Sequence, residues 1–201
     1  MQKAILLLGP TGSGKSPLGD CLQAHGVDGR RCWHFDFGAN LRAVAAGGLG
    51  GFTEDEVAFV KEVLEAGALL ENETFYLAKK ILTVFEQANA ISSKDLLVLN
   101  GLPRHVGQAE AMADLVNVVA VVELDCTPEI VFERLRLDTG GDRAERSDDQ
   151  LELVRKKLAV FENRTQPLIA YYRELGGMLI RIEVAVSTQP ADMIDTVAAV
   201  L

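Results

Sequence analysis

The feature that most constrains this chain is the octapeptide Gly9-Pro10-Thr11-Gly12-Ser13-Gly14-Lys15-Ser16, which follows directly on the apolar run Ala4-Ile5-Leu6-Leu7-Leu8. It matches G-x-x-x-x-G-K-[ST] in the context the motif needs, after a strand and before a helix. The glycines let successive backbone N–H groups curl round phosphate oxygens, and the helix that follows aims its positive end at them. Lys15 then reaches the outer phosphates, and the Ser16 hydroxyl is placed to meet a Mg²⁺ ion. An ordinary glycine-rich turn would not explain the Lys-Ser pair. The motif therefore predicts an α/β architecture that opens with a strand, a phosphate-binding loop and a helix.

The rest of the chain fits that opening. Further apolar runs at 32–37, 96–99, 118–124 and 178–182 read as buried strands. Helical patterns occupy 15–25, 40–46, 53–66, 72–90, 106–116, 128–137, 148–175 and 189–200. Strands alternating with helices imply right-handed crossovers and a parallel sheet covered on both faces. Three successive helical patterns are too many for one crossover, so a helical insertion is expected at about 38–92. The stretch Asp138-Thr139-Gly140-Gly141-Asp142-Arg143-Ala144-Glu145-Arg146-Ser147 has the glycine and charge content of a flap. At 201 residues with 48% apolar composition, one domain with small insertions accommodates all of this.

Charge narrows the ligand. Twenty Lys and Arg against 29 Asp and Glu leave a net charge of −9. Such a surface repels long polyanions, which argues against nucleic acid or an anionic membrane as partner. An anionic ligand must instead be caught by a local cluster of donors. The three cysteines (Cys21, Cys32, Cys126) form no C-x-x-C pair, which points to a reducing compartment. Cys21 with His25 and Cys32 with His34 have irregular spacing for a zinc set and read as loop and core residues. The N-terminal apolar run is too short for a signal segment, so the cytoplasm is the expected location.

Two further stretches supply donors. Gly38-Ala39-Asn40-Leu41-Arg42 follows the second strand, and Asn100-Gly101-Leu102-Pro103-Arg104 ends the third, with Gln108 one turn on. Both arginines thus fall at carboxyl ends of strands beside the phosphate loop, where open α/β sheets bind ligands. A guanidinium there takes a phosphate in bidentate fashion. The pair predicts a second phosphate site.

With these stretches in place, the chain resembles the adenylate kinase branch of the nucleoside monophosphate kinases. The likeness runs through GPTGSGKS (9–16), GANLR (38–42), EAGALLENE (65–73), LNGLPRHVGQAEAM (99–112), ERLR (133–136), RSDDQLELVRKKL (146–158) and FENRTQPLIAYY (161–172). It implies the P-loop NTPase fold, with a five-stranded parallel sheet flanked by helices. The single kinase domain would span 1–201, with a core at 1–37, 93–136 and 148–201, a monophosphate-binding insertion at 38–92 and a short lid at 137–147. It further implies reversible transfer of the ATP γ-phosphate to a nucleoside monophosphate, AMP foremost, with Mg²⁺, in a monomer. Carried over residue by residue, Arg42 and Arg104 hold the acceptor monophosphate, with Gly38 and Gly101 packed against that nucleotide and Gln108 reading the adenine edge. Lys15, Arg134, Arg146 and Lys157 bind ATP and neutralise the transferring group. Asp148 and Asp149 tie the lid to the helix after it. A lid without four cysteines resembles the zinc-free variety.

The chain also departs from the pattern. Ala39 and Asn100 stand where such kinases carry carboxylates that hold the water shell of Mg²⁺. Asp36, at the end of the second strand, either faces the same space or serves as a turn or capping residue. Lys157 stands for an arginine and loses its fork; Asp138 stands for another, with Arg136 or Arg143 as candidate substitutes. Pro17 is tolerable in the first turn of its helix. Trp33 and Phe35 read as core or ligand-wall residues, and His105 as either a phosphate contact or, the preferred reading, a solvated residue at a helix start. The altered carboxylates leave two alternatives open: a P-loop kinase for another monophosphate or a small hydroxyl acceptor, and a nucleotide-binding regulatory protein with low turnover.

Overall fold

The computed structural model describes residues 1–141 and 151–201. Its first strand, β1 (Gln2–Leu8), is buried from Ala4 onward, and β3 (Leu96–Asn100) is buried throughout. Each fully buried leucine contributes about 1.5–3 kcal/mol of transfer free energy, so these two leucine-rich strands belong in the interior of a sheet. β1 pairs in parallel with β3 on one side and with β4 (Val116–Asp125) on the other. The edges are β2 (Cys32–Asp36), parallel to β3, and β5 (Met178–Glu183), parallel to β4. The order is β2-β3-β1-β4-β5, the five-stranded parallel sheet the sequence predicts. The edge strands are only partly buried, in contrast to β3 and to β1 from Ala4 onward.

The period of two along β1 divides the core. Ala4, Leu6 and Leu8 enter one apolar cluster, and Ile5 and Leu7 enter the other. The second cluster is roofed by α1 (Lys15–His25) and α9 (Pro190–Ala198) through Leu18, Leu22, Met193 and Val197. The first takes residues from α2 (Phe37–Ala45), α3 (Glu54–Ala66), α4 (Tyr76–Ala88), α5 (Val106–Met112) and α8 (Pro167–Glu174). Helices α6 (Pro128–Leu137) and α7 (Leu151–Val160) flank the residues not described. Among the described residues no helix is long and apolar enough to cross a membrane.

Several boundaries differ from the sequence reading, each for a local reason. The second strand stops at Asp36, because Phe37 already opens α2 and Asp36 caps it, Oδ1 accepting from Ala39 N at 2.9 Å. The pattern at 106–116 is helical only to Met112; Val116 pairs with Gln2 in the sheet. The pattern at 72–90 is split into a 3₁₀ turn, Asn72–Thr74, and α4. Within 148–175 the described part is broken by a π-helical turn, Phe161–Thr165, between α7 and α8. Pro167 has no N–H to continue the ladder and takes the first turn of α8 instead, where its missing donor costs nothing. Most of the predicted lid, together with Arg146, Asp148 and Asp149, lies outside the described residues.

Candidate active site

Leu8 delivers the chain to the phosphate loop at the carboxyl end of the sheet. Gly12 and Gly14 adopt φ of +76° and +102°, which side chains rarely accept, so the turn depends on glycine there. Gly14 is also the N-cap of α1 and offers no side-chain acceptor, so the first amides of that helix are left to a ligand. Ser13, fully buried, braces the loop by donating to the Pro10 carbonyl at 2.9 Å. Lys15 Nζ donates to the carbonyl oxygens of Gly9 and Pro10 at 2.7 and 2.6 Å, holding its charge over the loop.

A cavity of about 240 Å³ opens beside this loop. The structure brings most of the sequence-predicted residues to it: Gly9, Thr11, Gly12, Gly14, Lys15 and Ser16 from the loop, with Lys157 opposite. Asp36, Gly38, Arg42, Asn100, Gly101 and Arg104 reach it from β2, α2 and the end of β3, and Gln108 from α5. Among the described residues neither Arg42 nor Arg104 has a carboxylate partner. Burial pulls the Arg104 pKa below that of a free guanidinium, and a guanidinium stays charged in any protein. Two uncompensated guanidiniums on one wall of a cleft make it attractive to an anion.

Around the first turn of α1, Ser16 Oγ donates to Asp36 Oδ2 at 2.8 Å. Asn100 Nδ2 lies 3.0 Å from Ser16 Oγ and 3.1 Å from Asp36 Oδ2. Asp36 thus fills both readings open in the sequence, one oxygen capping α2 and the other facing the cleft. The carboxylate absent at positions 39 and 100 is present at position 36. A second carboxylate at 100 would sit against it and repel it. The set is made of hard oxygens with one carboxylate, which suits a Mg²⁺ ion that brings its waters and takes its remaining ligands from phosphates. Among the described residues no group of three or more His, Cys, Asp or Glu is placed to hold an ion unaided.

The remaining residues are tied into the fold more than the sequence indicates. Gln108 is 1% exposed; its Oε1 accepts from Arg104 N and its Nε2 donates to Leu70 O, both at 2.7 Å. Arg134 is 2% exposed and does not line the cavity. Its Nε donates to Gly12 O at 3.0 Å, and its Nη1 donates to the carbonyls of Ala185, Val186 and Thr188 at 2.8–3.2 Å. It clamps the phosphate loop to the loop after β5. Asp138 takes a left-handed conformation at the end of α6. His105 is buried rather than solvated, capping α5 by accepting from Gln108 N. Phe35 is core, whereas Trp33 is half-buried under the Arg31 guanidinium, 3.9 Å from its ring centre.

Thr165 is the residue the sequence reading missed. Its hydroxyl donates to Arg104 O at 2.9 Å and lies 3.4 Å from Arg104 Nε, gripping both ends of the arginine. Only the π-helical turn brings it there, and such turns gather at functional sites. Pro167, inside a segment read as continuous helix, was the available signal that the helix is irregular.

Comparison with known proteins agrees with this geometry. A family model described as Adenylate kinase matches residues 7–177. An adenylate kinase of Xanthomonas campestris pv. campestris (strain 8004) is 36% identical over 186 residues, 89% of each chain. One from Xanthomonas oryzae pv. oryzae (strain MAFF 311018) is 35% identical over the same extent. One from Parvibaculum lavamentivorans is 33% identical over 187 residues, 87% of this chain and 81% of the relative. A match of this length, on a sheet and a cleft of this form, is decisive, and the chain belongs to the adenylate kinase family.

Proposed function

We propose that this protein is an ATP-dependent phosphotransferase that moves the γ-phosphate of ATP reversibly to AMP. The observation that carries the reading is the shared cavity, with a phosphate loop on one side and Arg42 and Arg104, without a carboxylate partner among the described residues, on the other. In the reaction an acceptor phosphate oxygen attacks the γ-phosphorus in line, and the bond to the β–γ bridging oxygen breaks with its electron pair passing to ADP. The attacking oxygen is already ionised, so no general base is required. Alignment and charge neutralisation suffice, which is why the site is rich in cations.

In this reading Lys15 and the amides of the loop from Gly9 to Ser16 hold the donor phosphates. Arg134 keeps that loop in register with the 185–188 segment. Arg42 and Arg104 grip the acceptor phosphate, Gly38 and Gly101 leave room for its nucleoside, and Gln108 meets the base. Lys157 and Arg146 neutralise the group in flight. Ser16 and Asp36, with Asn100 acting through water, would hold the metal; Mg²⁺, when bound, spreads the negative charge of the β- and γ-phosphates. Residues 38–92 act as the acceptor-binding insertion and 137–147 as a lid that excludes water and so suppresses hydrolysis of ATP. We assign it a cytoplasmic location and a monomeric state, in keeping with its acidic exterior and free thiols.

One observation favours a second acceptor. The Gln108 amide is engaged at both ends by the protein, so a base other than adenine would forfeit less there than at a free reader. A coupled assay of ADP formation, with Mg–ATP against a panel of monophosphates and small hydroxyl compounds, separates the readings. ADP with AMP alone supports the first, and faster turnover with another acceptor supports the second. Nucleotide binding without acceptor-dependent turnover would refute both.

A further inference from the structure

His34, in the middle of edge strand β2, has a side chain only 5% exposed, because its ring is turned onto α1. The slot exists because position 19 is glycine. A Cβ there would stand 2.3 Å from His34 Nε2 and 2.4 Å from Cδ2, so the ring would have to leave its place. Glycine inside a helix costs about 1 kcal/mol relative to alanine, so α1 is weakened to admit this ring. The neighbouring Asp20 holds the ring from outside, its Oδ1 2.8 Å from Nδ1. A carboxylate only accepts, so a ring with one proton carries it on Nδ1 and leaves Nε2 as an acceptor.

Asn100 Nδ2 lies 3.3 Å from that acceptor. Its two other neighbours are also acceptors towards it. Asp36 Oδ2 has no proton to give, and Ser16 has given its own to Asp36. Three acceptors surround one arm of the amide, so that arm is the NH₂. Reversing the amide would turn an oxygen towards all three.

We infer that Gly19, Asp20 and His34 form a relay that fixes the Asn100 amide, with its nitrogen committed to the protein and its oxygen presented to the cleft, where it serves the metal that accompanies the nucleotide. The inference rests on the reading of the cleft as a Mg–nucleotide site. His34 and Asp20 touch neither ligand; they are positioning residues acting through Asn100. With His34 gone, the amide nitrogen keeps only Ser16 Oγ and Asp36 Oδ2, the two groups that would turn to the metal, so its oxygen is held less firmly towards the metal's waters. Partners of this outer kind typically alter metal affinity by about 10–100-fold.

The test is calorimetric and needs no turnover. AMP-PNP, a non-hydrolysable ATP analogue, is titrated into the full chain in EDTA, and MgCl₂ is then titrated into the metal-free complex. His34→Leu should weaken Mg²⁺ binding by about tenfold while leaving AMP-PNP affinity in EDTA within about twofold. Gly19→Ala, which displaces the ring, should act in the same direction. His34→Gln keeps an acceptor within reach of Asn100 and should recover most of the loss. Asp20→Ala, at a side chain 71% exposed and so harmless to folding, should cost about threefold, a fraction of the same coupling. Unchanged Mg²⁺ affinity in Asp20→Ala and His34→Leu overturns the relay. So does an equal loss in EDTA and in Mg²⁺, or a His34→Gln as defective as His34→Leu, since each means packing alone. A wild-type chain that binds no AMP-PNP in either buffer overturns the nucleotide reading instead.

Discussion

The two halves of the cleft are built by different means. The half we assign to the donor is eight consecutive residues whose backbone would be the binding surface, and its shape follows from glycines at φ +76° and +102° and from internal bonds of Ser13 and Lys15 to the loop carbonyls. The half we assign to the acceptor is made of groups from separate parts of the chain: Arg42 on α2, Arg104 after β3, Gln108 on α5, the Leu70 carbonyl before α4, and Thr165 on the π-helical turn. Those contacts span 38 to 61 residues of sequence where they join different elements. A backbone site depends on local conformation and is insensitive to most distant substitutions. A side-chain site depends on packing and can be adjusted piece by piece, which suits the half that must choose its substrate.

Substitutions can break this contrast or sharpen it. Lys15→Ala removes the side-chain cation of the phosphate loop and should lower kcat on the order of a thousandfold for every acceptor tested. Steady-state kinetics showing less than a tenfold loss would mean that the loop backbone alone suffices. Arg104→Ala should raise the acceptor KM and also lower kcat, for a combined loss in kcat/KM of about a hundredfold, as expected for charged hydrogen bonds worth roughly 1.5–3 kcal/mol. The KM for ATP should stay within about twofold. Unchanged acceptor kinetics would remove Arg104 from the acceptor half.

Thr165→Val deletes the grip on Arg104 at nearly constant volume. The acceptor KM should rise by about fivefold, corresponding to one hydrogen bond of roughly 1 kcal/mol, and Thr165→Ser should restore it. If valine and serine behave alike, the hydroxyl has no part in positioning. The smallest effect should come from Arg164→Ala, which cuts the Arg164–Glu71 pair joining the π-helical turn to the 66–71 segment, 3.0 Å long and about half exposed on both sides. Exposed pairs contribute about 0–1 kcal/mol, so thermal unfolding should shift by no more than about 4 °C. A larger shift would show that the two segments are held together more by charge than by packing.

The same contrast explains what could be read before any coordinates. The strand–loop–helix unit at 4–25, the parallel sheet and the gathering of Lys15, Ser16, Arg42 and Arg104 at one cavity were legible, because contiguous motifs and apolar runs carry their own geometry. Asp36 was legible only as a pair of alternatives, since its two oxygens answer to different neighbours. Thr165 was not legible at all: a π turn within a helix differs from a continuous helix in backbone hydrogen bonds that reach one residue further, such as Gln166 N to Phe161 O, which no periodicity records. For Arg134 nothing in the sequence signals that it also clamps two loops, a contact set by carbonyls in the 185–188 segment, about fifty residues away.

By itself, then, the sequence determined the order of strands and helices, the phosphate loop at their first junction and the residue types that meet there. Hydrophobic period and local backbone preference act over a few residues and are written in order along the chain. The tertiary structure alone decided that a glycine in α1 makes room for a histidine from β2, and that this histidine, held by Asp20, meets Asn100 from β3. That arrangement depends on the register of β2 against β3, which sets His34 across from Val98 and Asp36 across from Asn100, and register is a property of the packed sheet.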